Sequence, residues 1–122
     1  MEINIAICDD DKNYINEIIQ YLNNCSWKRN NSFVYHTFYC GEALLESKQY
    51  FDFIILDIEM DKVSGIEVKE IFYNRNNQSR IIFLTNYEEY MSDSFGKMSM
   101  DISVKMFFIR WISRLIKYLK NF

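Results

Sequence analysis

Three aspartates, Asp9, Asp10 and Asp11, stand at the end of the chain's first apolar run. Later apolar runs each end in one polar residue: 53–56 in Asp57, 81–84 in Thr85, and 102–104 in Lys105. If these runs are parallel strands, Asp9, Asp10, Asp57, Thr85 and Lys105 converge on one rim. Clustered carboxylates repel one another, and their proton affinities rise unless a cation sits among them. Mg2+ suits such a set, because it takes oxygen ligands and accepts a few carboxylates while keeping water and phosphate oxygens. Asp57 could then act as a nucleophile towards a phosphoryl donor. A metal and Lys105 would offset charge on the transferring group, and the Thr85 hydroxyl could hydrogen-bond its oxygens. Taken singly, each residue has an ordinary reading. Asp11 suits a helix N-cap, Thr85 a strand residue and Lys105 a solvated charge. The order acidic pair, Asp, Thr, Lys, each after its own apolar run, is what coincidence does not readily supply.

The elements that must position these residues follow from periodicity. Residues 3–8, 33–39, 53–56, 81–84 and 102–104 predict strands. The run 53–56 is continuously apolar, as in a strand buried on both faces. Residues 10–25 carry Tyr14, Ile15, Ile18, Ile19 and Leu22 at helical spacing. Short helices are expected at 42–48 and 64–73, the latter with Ser64 as N-cap and Glu67 three residues on, a capping box. Residues 88–97 predict a weakly patterned helix. Residues 107–119 predict a closing helix with Phe108, Ile112, Leu115, Ile116 and Leu119 on one stripe. Strands alternating with helices predict a doubly wound, five-stranded parallel sheet, an α/β (βα)5 fold. In such sheets the site lies beyond the carboxyl ends of the strands, which selects the same rim residues.

The chain has 122 residues, enough for one domain, expected over 1–122, and its own core. No apolar run approaches the roughly 20 residues of a membrane span, and the first residues form neither a signal peptide nor a basic transit segment. A cytoplasmic protein with no membrane partner is therefore expected. A net charge of -3 argues against direct nucleic-acid binding by this domain. Cys8, Cys25 and Cys40 lack metal spacing and read as reduced thiols. His36 has no ligand partner at useful spacing and reads as structural.

The segments IAICDDD, FDFIILDIEM, DKVSGIEV, IIFLTNYEEY and SVK resemble those of response-regulator receiver domains, over about residues 3–119. CDDD, FYCGEALL and FLTNYEEY resemble LytTR-type receivers in particular. The resemblance implies a flavodoxin-like fold and a phosphoacceptor switch of two-component signalling rather than an enzyme. A sensor histidine kinase would phosphorylate Asp57. Asp9 and Asp10 match the acidic pair that organises Mg2+, with Asp10 the more direct ligand. Glu59 matches the position whose backbone carbonyl completes the metal shell. Thr85 matches the switch hydroxyl, Lys105 the lysine that pairs with the phosphoryl group, and Gly65 the glycine of the loop after the third strand. The output implied is transcription regulation through a LytTR DNA-binding domain that 1–122 does not include.

Two positions depart from that pattern. Met106 stands where the family has proline after its lysine, so a cis peptide there would cost about 2.5–4 kcal/mol. Ile102 stands where the family has its switch aromatic. A pseudo-receiver, an interaction module that is not phosphorylated, is the alternative these departures support. An aspartyl-nucleophile phosphatase is disfavoured because Asp57-Ile58-Glu59 lacks a second aspartate two residues on. Homodimerisation through the last two helices and fifth strand is a further expectation.

Overall fold

In a computed structural model, residues 2–24, 32–75, 79–84 and the backbone of 105–109 are described. In chain order they form β1 (Glu2–Cys8), α1 (Lys12–Asn23), β2 (Ser32–Phe38), α2 (Gly41–Glu46), β3 (Phe53–Asp57), α3 (Gly65–Asn74), β4 (Arg80–Leu84) and β5 (Lys105–Ile109). The sheet order is β2-β1-β3-β4-β5 with every pair parallel. The order turns back at β1, with β2 on one side of it and β3 on the other. That switch point opens a crevice at the strands' carboxyl ends.

The central strands are apolar because both their faces are covered. One layer joins Ala6, Cys8, Ile54, Leu56, Ile81 and Phe83 to Leu44 of α2 and to Val68 and Phe72 of α3. The other joins Ile5, Ile7, Phe53, Ile55, Ile82 and Leu84 to Ile15, Ile18 and Leu22 of α1. Alternate residues of each strand thus feed opposite layers, the period-two rule of a pleated sheet. Truncating one of these side chains, Leu56→Ala for example, costs about 2–5 kcal/mol through lost burial and a residual cavity.

Caps and loops fix the element ends. Asp11 caps α1, its side chain accepting the N–H groups of Asn13 and Tyr14. The Ser64 hydroxyl accepts the Glu67 N–H at 3.2 Å and so caps α3. At the amino end of the sheet Asp52 accepts the Asn4 N–H at 2.8 Å, and the buried Ser79 hydroxyl donates to the Phe51 carbonyl at 2.6 Å. His36 belongs to this structural region. Its Nε2 lies 3.1 Å from Asn4 Oδ1, and its ring packs beside Phe51.

The expected strands match β1 to β4, and the expected first three helices match α1 to α3, all within a few residues. The last strand differs. Residues 102–104, expected to form it, lie outside the described residues, as does the helix expected at 88–97. Lys105–Ile109 pairs beside β4, so residues 107–109, expected to open the last helix, are strand instead. The run KMFFI is aromatic and branched enough to suit a strand, and its apolar positions also fall on a helical stripe. Residues 110–119 of that expected helix lie outside the described residues.

Candidate functional site

β1 ends at Cys8 and β3 at Asp57, and the two strands pair Cys8 with Leu56. The residues just past this pairing are therefore Asp9 on one strand and Asp57 on the other. Asp9, Asp10 and Asp57 form an acidic cup in which one carboxylate oxygen from each lies within 4.8 Å of the others. Asp9 is buried, Asp57 partly buried and Asp10 exposed, so the cup opens outward. Two backbone anchors hold its inner wall. The Asp9 N–H donates to the Phe38 carbonyl at 3.1 Å, and Asp9 Oδ1 accepts the Asp11 N–H at 2.9 Å. Across the cup, Asp57 Oδ1 accepts the Glu59 N–H at 3.3 Å.

Burial and crowding show in the proton affinities. The Asp57 carboxyl is pushed up to about 7, first by burial, then by the charge of Asp9 and less by Asp10 and Glu59, against the Glu59 N–H that lowers it. Asp9 is pushed up to about 6, again by burial first; the Asp11 N–H opposes this and Asp10 adds to it. Burial, Cys40 and the same acidic groups push the neighbouring Cys8 thiol up to about 12, so it is an inert thiol at neutral pH. Its Sγ instead contacts the Cys40 carbonyl at 3.4 Å and Met60 Sδ at 3.7 Å.

This arrangement suits a hard divalent cation. The donors are oxygens, they carry negative charge that burial makes costly, and they sit close enough to share an ion. Asp9, Asp10 and Asp57 would hold such an ion between them, each offering one carboxylate oxygen. A cation there would drive the carboxyls back towards ionisation.

The loop after β3 completes the rim. Gly65, the first residue of α3, donates its N–H to the Ile58 carbonyl at 2.9 Å. A Cβ at Gly65 would lie 2.4 Å from the Asp57 carbonyl oxygen and 2.9 Å from Ile58 Cα, both backbone atoms. Glycine is thus what lets α3 begin against the acceptor strand. Lys62 has a φ of 65°, and its neighbours Asp61 and Val63 are joined by a 2.8 Å backbone hydrogen bond. That is a tight turn in the left-handed region, where a lysine is strained. A shallow groove of about 360 Å³ runs from Asp10 along Glu59, Met60 and Asp61 to Ser64 and Ile66.

Of the residues expected at the rim, Asp9, Asp10 and Asp57 are together, and Glu59 adjoins them through its N–H. Thr85 lies outside the described residues. Lys105 was expected at the same rim. Its backbone opens β5 opposite Arg80, at the amino edge of the sheet, whereas Asp57 pairs with Leu84 at the rim. In this register residues 105–109 pair with residues 80–84. One rim feature escaped the sequence reading. Lys12 Nζ lies over the Tyr39 ring, 4.8 Å from its centroid. No spacing rule links residues so far apart in sequence, and only the β1–β2 register brings them together.

Residues 5–109 match the family model of the response regulator receiver domain. A sequence search of curated proteins finds no match. Among solved structures, the chain is similar to the Thermotoga maritima response regulator TrrA in complex with Mg2+-BeF, at 24% identity and a TM-score of 0.76, covering 98% of this chain and 97% of that one. It is similar to the BeF3-activated DrrB receiver domain at 23% identity and a TM-score of 0.69, covering 99% and 97% of the two chains. Against Thermotoga maritima DrrB, an OmpR/PhoB homologue, identity is 22% and the TM-score 0.74; all of this chain is covered but only 52% of that one, so it spans about half of that regulator.

Proposed function

Since this chain belongs to the response regulator receiver domain family of two-component signalling, we propose that it is a Mg2+-dependent phosphoacceptor switch in which Asp57 takes the phosphoryl group. The observation that carries this reading is the convergence of Asp9, Asp10 and Asp57 within 4.8 Å at the carboxyl ends of β1 and β3. The donor is a sensor histidine kinase carrying phosphohistidine. An Asp57 oxygen attacks phosphorus, the P–N bond breaks, and its electron pair leaves with the imidazole. The product is an acyl phosphate on Asp57.

The attack requires an ionised Asp57, which burial beside Asp9 opposes. When bound, Mg2+ supplies the compensating charge and accepts phosphoryl oxygens. Asp9, Asp10 and Asp57 would hold it through their carboxylates and Glu59 through its backbone carbonyl. Thr85 follows Leu84, the residue paired with Asp57, and is assigned as the hydroxyl that hydrogen-bonds the phosphoryl group. Lys105 is assigned the pairing cation under one structural condition. The Arg80 row is about 13 Å from the Leu84 row, farther than an extended lysine reaches, so β5 must pair four residues out of the register described here. Completing the sheet with helices after β4 and β5 gives the (βα)5 form of the fold, with an output face and a homodimer surface on the last two helices and fifth strand. The LytTR-like segments point to transcription regulation, through a DNA-binding domain, as the output in the cytoplasm. Among the described residues no helix is long and apolar enough to cross a membrane.

Backbone amide NMR tests the reading. Mg2+ should shift the signals of Asp9, Asp10, Asp57 and Glu59, and beryllofluoride, which mimics the aspartyl phosphate, should then shift those of Thr85 and Lys105. Absence of any response to either addition would refute it and favour the pseudo-receiver.

A further inference from the structure

Lys12 adds a basic side chain to the rim. It is the first residue of α1, one step past the Asp11 cap. Tyr39 is one step past β2 and 46% exposed. Both chain segments are tied to Asp9. The Asp11 N–H donates to the Asp9 carboxylate, and the Phe38 carbonyl accepts the Asp9 N–H. The Lys12–Tyr39 pair therefore brackets the acidic cup on its β2 side, with Nζ 4.8 Å from the ring centroid. Burial is the first cause of the raised Asp57 carboxyl, and the charges named with it are all negative. An ammonium held on an exposed aromatic face is held weakly. Its donors stay within reach of an anion arriving from solvent.

We propose that Lys12 is a positioning residue for the phosphoacceptor reaction: parked over Tyr39 in the free chain, it leans from the ring towards an incoming small acyl phosphate and draws that anion into the cup. The inference rests on the phosphoacceptor reading of Asp57.

The test measures the second-order rate of labelling by acetyl phosphate at saturating Mg2+, at low and high ionic strength, together with Mg2+ affinity. Wild type, Lys12→Ala, Lys12→Arg and Tyr39→Phe are compared. At low salt Lys12→Ala should label about three- to tenfold more slowly, and the gap should close at high salt, as for steering by one exposed charge. Lys12→Arg and Tyr39→Phe should stay near wild type. Mg2+ affinity should be unchanged or tighter in Lys12→Ala, because a competing cation has gone, whereas general damage to the site would weaken it. A wild-type labelling rate in Lys12→Ala at low salt, or parallel loss of Mg2+ binding, would overturn the inference while leaving Asp57 as acceptor. A wild-type chain that takes no label would overturn both.

Discussion

Replacing Asp57 by Asn should stabilise the metal-free protein. In the folded chain the Asp57 carboxyl is pushed up to about 7 from an ordinary 3.8, by burial first and the charge of Asp9 second. A carboxyl raised on folding contributes stability that is fully present below its unfolded value and is lost as pH rises through the folded one. The loss therefore accumulates between about pH 4 and pH 7. At about 1.36 kcal/mol per pH unit, a gap of about three units corresponds to a cost of roughly 4 kcal/mol at neutral pH. Part of that cost belongs to Asp9, which is raised in turn, and Asp57 is partly solvated, so the gain expected from Asp57→Asn is about 2–3 kcal/mol. Asparagine keeps an oxygen to accept the Glu59 N–H, so no donor is orphaned. The assay is urea unfolding in a chelator at pH 4, 5.5 and 7.5. Variant and wild type should nearly coincide at pH 4 and separate progressively above it. Saturating Mg2+ should narrow the gap, because the intact acidic set gains more binding free energy. An Asp57→Asn protein no more stable than wild type at pH 7.5, or a gap independent of pH, would refute the electrostatic argument.

Other outcomes follow from the same geometry. Mg2+ binding requires Asp9 and Asp57 to be ionised, so its apparent affinity should fall as pH drops below about 7 and more steeply below about 6; calorimetry at pH 5.5, 6.5 and 7.5 would show protons released on binding. Gly65→Ala should destabilise the fold by about 1–3 kcal/mol despite alanine's higher helix propensity, because its Cβ meets the Asp57 carbonyl; urea unfolding measures this, and Mg2+ affinity should fall with it. Lys62→Gly should stabilise by about 0.5–1 kcal/mol, since the residue holds a φ of 65°; thermal unfolding would detect it.

The acidic cup was legible because each of its residues ends an apolar run. Asp9 and Asp57 follow strands whose alternate side chains fill two core layers, and that requirement writes itself as Ile5 to Cys8 and Phe53 to Leu56. The caps were equally plain, since Asp11 and Ser64 precede helical periodicity and their side chains have the short reach a cap needs. The last strand was not legible. Residues 102–109 hold two short stretches that suit a strand, and the second also fits a helical stripe, so pattern alone does not set the register. A shift in that register moves Lys105 from one edge of the sheet to the other. The Lys12–Tyr39 contact was hidden for a different reason. It depends on Cys8 pairing with Phe38, a tertiary fact that neither local segment encodes. The strained turn at Lys62 carried no sequence signal either, because glycine or asparagine would be the expected residue there.

The most direct test of the central assignment is intact-mass measurement after incubation with acetyl phosphate, with and without Mg2+, on wild type and Asp57→Asn. Wild type should carry one phosphoryl group, formed only with Mg2+ and lost in hydroxylamine, and Asp57→Asn none. Full labelling of Asp57→Asn, or a wild-type chain that stays unmodified with Mg2+ present, would contradict it.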